Sequence, residues 1–345
     1  MLQKPILIEH REGKSSFTGT WIEYCDKHNI PYKIVHCNDN DIIDQLKESS
    51  GLMWHWSQQA PDKILYARQL TYAAEAMGLN VFPSSKACWH FDDKIGQKYL
   101  FEALEFPFVK TWVFYDKQTA INWACETTYP KVFKLRGGAG SVNVSLIKSF
   151  KQAKKIINKM FSRGLSQISW KSIFIDRFKK LFKSPSFTNF IDLGKSFVRL
   201  FIPSKFQKLA GREKGYVYFQ EFIPNCDHDT RVVVIGDKAF AFKRLVRDND
   251  FRASGSGYIE YDKCHINPQM IPIAFDIADK TQSECIGVDF LVNGEKLQIV
   301  ESSYGFVLFL YRDCQGYWDR EGNWHDKPVR PAEFIIEDFL AKITK

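Results

Sequence analysis

A chain of 345 residues exceeds what one hydrophobic core usually serves, so two or three domains are expected. With 45% hydrophobic and 26% charged residues it has the balance of a globular protein, and no apolar run reaches the length of a membrane span. The net charge of +8 is concentrated: residues 151–214 hold sixteen Lys and Arg against only Asp176, Asp192 and Glu213, so one segment makes the protein basic while the remainder is net acidic.

Eight cysteines are scattered without a Cys-x-x-Cys pair, which favours reduced thiols in the cytoplasm and argues against a zinc site. The opening Met1-Leu2-Gln3-Lys4-Pro5 leads directly into a short strand rather than a signal peptide. Strand-like runs at Pro5 to Glu9, Tyr32 to Cys37 and Gly51 to Trp56 alternate with helical patterns at Thr18 to His28, Asp41 to Glu48 and Pro61 to Met77. Such alternation predicts a small parallel sheet covered by helices, an N-terminal α/β domain over residues 1–87. Ligands in such sheets sit beyond the carboxyl ends of the strands, which is where His10, Arg11 and Trp54-His55-Trp56 fall. The tryptophans have two readings, substrate contact or packing against the next domain.

Helical periodicity resumes across His90 to Glu105, and Phe108 to Phe114 and Pro130 to Leu135 read as strands. Lys134 ends the second, just before Arg136-Gly137-Gly138-Ala139-Gly140-Ser141. A glycine-rich turn lets backbone amides approach phosphate oxygens, and a neighbouring lysine adds a point charge. The same composition also makes ordinary hairpin tips. In the basic segment, Phe174, Phe178, Leu181 and Phe182 recur at helical spacing, with Lys171, Lys179, Lys180 and Lys183 mostly elsewhere on the wheel. Pro185 stops that helix, and a second apolar and basic stretch runs from Leu193 to Ile202. This amphipathic segment suits either an anionic membrane surface or its own domain with lysines solvated; nucleic acid is a distant third, because no base-reading motif is present.

Tyr216 to Phe222 reads as a strand leading into Gln220-Glu221-Phe222-Ile223-Pro224, followed by a strand pair carrying Asp229, Arg231, Lys243 and Arg244. Arg252 begins Arg252-Ala253-Ser254-Gly255-Ser256-Gly257, which is either part of a substrate loop, with Arg252 pairing a carboxylate, or a plain turn. The most informative stretch is Ile286 to Phe306, a hairpin around Asn293-Gly294. Glu301 and Ser303 are two apart and share a strand face. Asp289 joins them only if the loop holds an odd number of residues, so a three-residue turn with a glycine bulge is expected. Two hard acids and a hydroxyl on one wall suit Mg²⁺ holding polyphosphate; the alternative is a solvated strand face carrying ordinary acids. Beyond it, Tyr311 to Trp324 is an aromatic loop that either borders an acceptor site or caps the final helix from Ala332 to Ile343.

Taken in order, a lysine at a helix start (Lys94), a lysine before a glycine-rich turn, the Gln-Glu-Phe-Ile run, an Asp-x-Arg strand pair and an Asp hairpin with Glu-x-Ser resemble the ATP-grasp superfamily. The resemblance is to the branch containing glutathione synthetase and the ligases that add glutamate to a ribosomal protein, and it spans about Asp93 to Gly305. It implies an α/β fold in which the N-terminal domain precedes a two-subdomain grasp with antiparallel sheets: a lid subdomain over residues 88–219, with an insertion at about 151–214, and a metal-hairpin subdomain over 220–345.

By position, the resemblance implies ATP phosphates on Lys94 and Lys134 under the turn Gly137, Gly138, Ala139, Gly140 and Ser141. It puts the adenine edge on Glu221, Phe222 and Ile223, the ribose at Asp229, and the transferred phosphoryl group before Arg231, Lys243 and Arg244. Asp289, Glu301 and Ser303 would bind Mg²⁺, with serine standing where the family usually has asparagine. The implied activity is ATP-dependent joining of a carboxylate to an amine or thiol through an acyl phosphate, on small or polymer-linked substrates, in the cytoplasm or peripheral to a membrane. The alternative is an ATP-binding regulatory or scaffolding protein of the same fold that has lost catalysis.

Overall fold

The computed structural model describes residues 3–13, 15–58, 60–138, 143–168, 170–246, 252 and 257–344. The chain forms two compact units, one made of Met1–Ser57, Lys63–Val109 and Ile223–Lys345, the other of Gln58–Asp62 and Lys110–Phe222. It thus leaves the first unit and returns to it, and the expected N-terminal and metal-hairpin segments fall largely within one unit.

In the first unit, β1 (Ile6–Glu9), α1 (Thr18–Lys27), β2 (Tyr32–Val35), α2 (Ile42–Lys47), β3 (Gly51–Trp54), α3 (Pro61–Ala76) and β4 (Asn80–Phe82) alternate as the sequence pattern predicts. The sheet is wholly parallel, in the order β2-β1-β3-β4. The central strands β1 and β3 are buried along their length, as strands covered on both faces are. Two short turns of chain later come α4 (Ser85–Cys88) and α5 (Lys94–Ala103). The Asp93 side chain caps α5 by accepting the Gly96 amide at 2.9 Å, which fixes where Lys94 emerges.

The second unit contains β5 (Thr111–Phe114), α6 (Lys117–Glu126), β6 (Lys131–Lys134), β7 (Ser145–Ile147), α7 (Phe150–Met160), α8 (Trp170–Lys183), α9 (Phe187–Phe201), α10 (Lys205–Ala210) and β8 (Val217–Glu221). Its antiparallel sheet has the order β5-β8-β6-β7. Strand alternation separates two chemistries here. Trp112, Phe114 and Phe219 on one face pack on Trp123 of α6, with ring centroids 5.2, 5.1 and 5.0 Å away. The other face carries Thr111, Lys134, Tyr218 and Gln220, joined by hydrogen bonds.

Back in the first unit, β9 (His228–Ile235), β10 (Lys238–Leu245), β11 (Ile259–Glu260), α11 (Met270–Thr281), β12 (Cys285–Asn293), β13 (Lys296–Ser303), β14 (Tyr317–Trp318), β15 (Trp324–His325) and α12 (Pro331–Ile343) complete the chain. The sheet runs β13-β12-β9-β10-β14-β15, with β11 also on β10, and every pair is antiparallel. One face buries Val232, Val234, Ile286, Val288, Phe290 and Ile299 against Met270, Ala274 and Ile277 of α11. The opposite face sends Val233, Ile235, Phe240 and Phe242 into a core shared with the parallel sheet and α12. Trp21 of α1 joins that core and donates its indole N–H to the Ala332 carbonyl at 3.0 Å. The aromatic loop is part of the sheet: Trp318 pairs with Ala239 across strands, and its ring meets Trp324 edge-on at 4.6 Å.

The hairpin departs from expectation in its register. Its turn has two residues, Gly294 and Glu295, with Gly294 at φ +63°, rather than three. Such a turn alone would set Asp289 opposite Val300. Instead Asp289 pairs with Glu301 and Phe290 with Ile299, so the odd residue, Val300, lies in a bulge within β13. As an edge strand β13 needs partners. Ile299 exchanges backbone hydrogen bonds with Pro107 and Val109 (2.8 and 2.9 Å). Gln97 of α5 accepts the Ser302 amide at 3.1 Å and donates to the Ser302 carbonyl at 2.8 Å.

Gly51 tests how tightly this core is built. A Cβ there would lie 2.6 Å from the Asn80 carbonyl oxygen and 2.8 Å from Phe339 Cζ. Gly51→Ala should lower unfolding free energy by about 1–3 kcal/mol, the range of core overpacking, read as a lower urea midpoint; an unchanged midpoint would contradict this packing.

Candidate active site

On the sheet of the first unit, neighbouring strands place Arg231, Asp289 and Glu301 side by side. Arg231 grips Asp289 with two parallel hydrogen bonds, Nε to Oδ1 at 2.6 Å and Nη2 to Oδ2 at 2.7 Å. Arg244 Nη2 reaches the same carboxylate at 2.8 Å and also pairs with Asp229 through two bonds at 2.5 and 2.8 Å. Asp229 lies across the strands from Arg244, so four charges form one neutral quartet in which Asp229, Arg244 and Asp289 are buried and Arg231 is half-buried. Burial alone would raise the Asp289 pKa, but Arg231 and Arg244 outweigh it and hold the group well below the usual carboxylate range. Asp229 goes the other way: its burial exceeds what Arg244 returns, and its pKa is raised.

Glu301 extends this wall outward and meets Lys94 Nζ at 3.2 Å. Lys94 is buried at the start of α5, which Gln97 ties to β13. Ser303 shares the wall through its pairing with Gly287. Its hydroxyl, however, donates to the Gly305 carbonyl at 2.5 Å and accepts the Gly305 amide at 3.2 Å. Lys243, one residue from Arg244, points to the opposite sheet face and pairs with Glu260 at 3.6 Å. Both Asp229 oxygens are taken by Arg244 rather than offered outward.

The donor set fits one magnesium ion. An ionised carboxylate offers about four lone-pair sites, and Asp289 uses three of them on Arg231 and Arg244. Glu301 has room beside Lys94. Among the described residues no group of three or more His, Cys, Asp and Glu is placed to hold a metal. Two carboxylates suffice for Mg²⁺, which takes its remaining ligands from phosphates and water.

The second unit carries its own polar set. Lys134 Nζ donates to Gln220 Oε1 at 2.7 Å, and Gln220 Nε2 donates to the Thr111 and Tyr218 hydroxyls at 3.2 and 3.3 Å. Glu221 is one residue further and faces the other way, meeting Lys131 Nζ at 2.9 and 3.1 Å. The side chain beside Lys134 is therefore Gln220, a direction set by the pairing of Lys134 with Tyr218. Phe222 is half-buried and Ile223 buried. At the glycine-rich turn, the amides of Arg136 and Gly137 donate to the Glu213 carboxylate at 3.1 and 3.2 Å, and Gln167 and Tyr216 bond to it too. Gly138 has a positive φ of 111°, and Ala139, Gly140 and Ser141 lie outside the described residues. Arg252 is described, but its loop neighbours Ala253 to Ser256 are not.

Beyond the carboxyl end of β1, the first unit has a cleft of about 540 Å³ lined by His10, Arg11, Tyr311, Arg312 and Arg330 among others. Trp54 and Trp56 are not in it: both are core residues, 2% and 1% exposed, and they meet edge-on at 5.2 Å. His55 stacks on Phe17 at 3.6 Å, and its burial pushes its pKa well down. Arg11 reaches His55 Nδ1 and the Ser15 carbonyl at 3.4 and 3.5 Å, while its Nε and the Tyr311 hydroxyl are buried without a hydrogen-bond partner among the described residues.

The quartet makes a prediction. Asp289→Asn strips two guanidinium groups of their shared charge partner and should cost about 3–5 kcal/mol in a urea titration at neutral pH. The pKa of Asp289 is depressed in the folded state, so its contribution is complete above the unfolded value of about 3.9 and is lost as the pH falls towards the folded one. The stability gap between the parent and Asp289→Asn should therefore narrow below about pH 4. A gap that stays constant into acid would show that Asp289 is not the ionised partner.

Residues 171–306 match the family model for a RimK-like ATP-grasp domain. No curated protein sequence matches the chain. Among solved structures, the ATP-grasp ligase PsnB complexed with its minimal precursor is similar over 100% of both chains, at 13% identity and a TM-score of 0.57. The D-alanine–D-alanine ligase of Bacillus anthracis complexed with ATP aligns over 99% of this chain and 98% of its own, at 10% identity and a TM-score of 0.55. A RimK domain ATP-grasp protein of Sphaerobacter thermophilus aligns over 89% and 93%, at 12% identity and a TM-score of 0.52. With a parallel N-terminal sheet and two antiparallel sheets, the chain has the ATP-grasp fold, and its residues 171–306 are similar to a RimK-like ATP-grasp domain.

Proposed function

We propose that the protein is an ATP-dependent ligase that joins a carboxylate to an amine or thiol. The observation that carries this reading is the wall on which Asp289 and Glu301 stand as cross-strand neighbours beside Arg231, Arg244 and Lys94. A carboxylate is a poor acyl donor because its leaving group would be oxide. Its oxygen attacks the γ-phosphorus of ATP, ADP departs, and the acyl phosphate so formed is then attacked at carbon by the acceptor, which releases phosphate. Both displacements need positioning and charge stabilisation, with no nucleophile from the protein.

The residues divide this work. Asp289 and Glu301 would hold Mg²⁺, which when bound neutralises charge on the terminal phosphates of ATP. Lys94 now neutralises Glu301 and would take a phosphate oxygen in its place. Arg231 and Arg244, fixed by Asp289 and Asp229, hold their remaining N–H donors on a rigid backing rather than on mobile side chains. Lys134, on the sheet of the second unit, is a point charge suited to phosphate. The cleft sets Arg11, Arg312 and Arg330 among Glu12, Glu23 and Glu333, a mixed-charge lining that suits a polar substrate. PsnB and D-alanine–D-alanine ligase, as named ligases of the same fold, support the reaction class.

The test is ADP release with Mg²⁺ and ATP against pooled carboxylic acids and amines, amino acids and peptides included. Release should require one acid and one acceptor and fall about 100-fold or more in Glu301→Gln, the scale of losing a contact to developing charge. Ser303→Ala should stay within about threefold, because its hydroxyl is committed to Gly305 rather than to a metal. ATP binding without turnover on any pool would favour a regulatory protein of the same fold.

A further inference from the structure

The ligase reading leaves residues 170–202 without a role. Helices α8 and α9 pack side by side as a hairpin: the Arg177 guanidinium donates to the Asp192 carbonyl at 2.6 Å, and the Phe174 and Phe197 rings meet at 5.9 Å. What sets the hairpin apart is its outer surface. Phe182, Phe187, Phe190 and Phe201 are 73%, 80%, 64% and 74% exposed, and Phe178 and Phe197 are about half exposed. The rings are ordered along the helices: Phe178 meets Phe174 at 6.3 Å and Phe182 at 4.8 Å, and Phe197 meets Phe201 at 5.5 Å. A folded protein scatters single exposed apolar side chains, but a contiguous aromatic strip on two adjacent helices marks a surface that is covered by something.

We propose that this aromatic face docks on the surface of an anionic lipid bilayer. Charge decides between occupants. Residues 170–202 carry seven Lys and Arg against Asp176 and Asp192, and α7, which precedes them in the chain, presents Lys151, Lys154 and Lys155 to solvent. A second copy laid on the same face would bring two positive surfaces together, whereas anionic headgroups neutralise them. Helix length decides the depth. At about 1.5 Å per residue, α8 with 14 residues and α9 with 15 span less than the roughly 30 Å hydrocarbon core. Among the described residues no helix is long and apolar enough to cross a membrane. The hairpin therefore lies in the headgroup layer, phenylalanines inward, as basic amphipathic helices do. Docking brings unit two, and the turn at Arg136 and Gly137 within it, to the lipid surface, where an acid or acceptor attached to lipid would be found.

Co-sedimentation tests this with the full chain and two vesicle types, phosphatidylcholine alone and phosphatidylcholine mixed with phosphatidylglycerol in equal parts. Binding to the mixed vesicles should be about tenfold or more tighter than to the neutral ones and should weaken at about 0.5 M salt, where screening acts over only a few ångströms. The variant Phe182→Ser/Phe187→Ser/Phe190→Ser/Phe201→Ser should lose sedimentation while keeping its far-ultraviolet circular dichroism, since these side chains are solvent-exposed. Lys195→Glu/Arg199→Glu should lose the preference for phosphatidylglycerol. Equal binding to both vesicles, no binding to either, or a dimer in light scattering that the phenylalanine variant dissociates would each overturn the proposal, the last by assigning the face to a second copy.

Discussion

The site depends on a parity constraint. A β-strand has two faces, and β12 and β13 must give one to the apolar core over α11 and the other to charge. Phe290 and Ile299 are needed inside, Asp289 and Glu301 outside, yet Ile299 and Glu301 are two residues apart and would share a face in a regular strand. The extra residue at Val300 resolves the conflict by resetting alternation between them. It keeps two large side chains in the core, each worth about 1.5–3 kcal/mol of burial, without sending either acid there.

The charged face has a second constraint, that buried charge must be matched. Asp289 and Asp229 sit among apolar neighbours and are tolerable only because Arg231 and Arg244 face them with near-ideal fork geometry. The quartet anchors the inner end of a wall that runs outward to the partly exposed Glu301, which the buried Lys94 meets from the start of α5. Such an arrangement contributes little net stability but fixes orientation, which is what a site working by electrostatic positioning requires. The Glu213 carboxylate does a related thing in the other unit, filling the amides of Arg136 and Gly137 so that the entry to the glycine-rich turn keeps one shape.

Much of the fold was legible because its signals are local. The alternation that opens the chain follows from periodicity, and the boundaries of α1, β3 and α12 fall within two residues of expectation. The order of acidic, basic and glycine-rich motifs pointed to the fold as a whole. The register of the hairpin was not legible, since a bulge at Val300 has no residue signature and only the need for Asp289 to meet Glu301 betrayed it. Side-chain direction was equally hidden at β8 and β10: Gln220 against Glu221, and Arg244 against Lys243, are decided by which neighbour each strand pairs with. The hydrogen-bonding roles of Gln97, Glu213 and Tyr311 were hidden because a lone polar residue becomes informative only through partners distant in the chain.

Gln97 merits a last consequence. With one side-chain amide it copies what a neighbouring strand would offer Ser302, a donor and an acceptor at the spacing of a peptide group. Helix α5, which carries Lys94, is thereby latched to the strand that carries Glu301, and the two cannot separate without exposing that strand's edge. The Ser302 amide proton is thus a natural reporter: its exchange with deuterated solvent times the opening of this latch, and any ligand that draws Lys94 towards itself will be recorded there before any product is made.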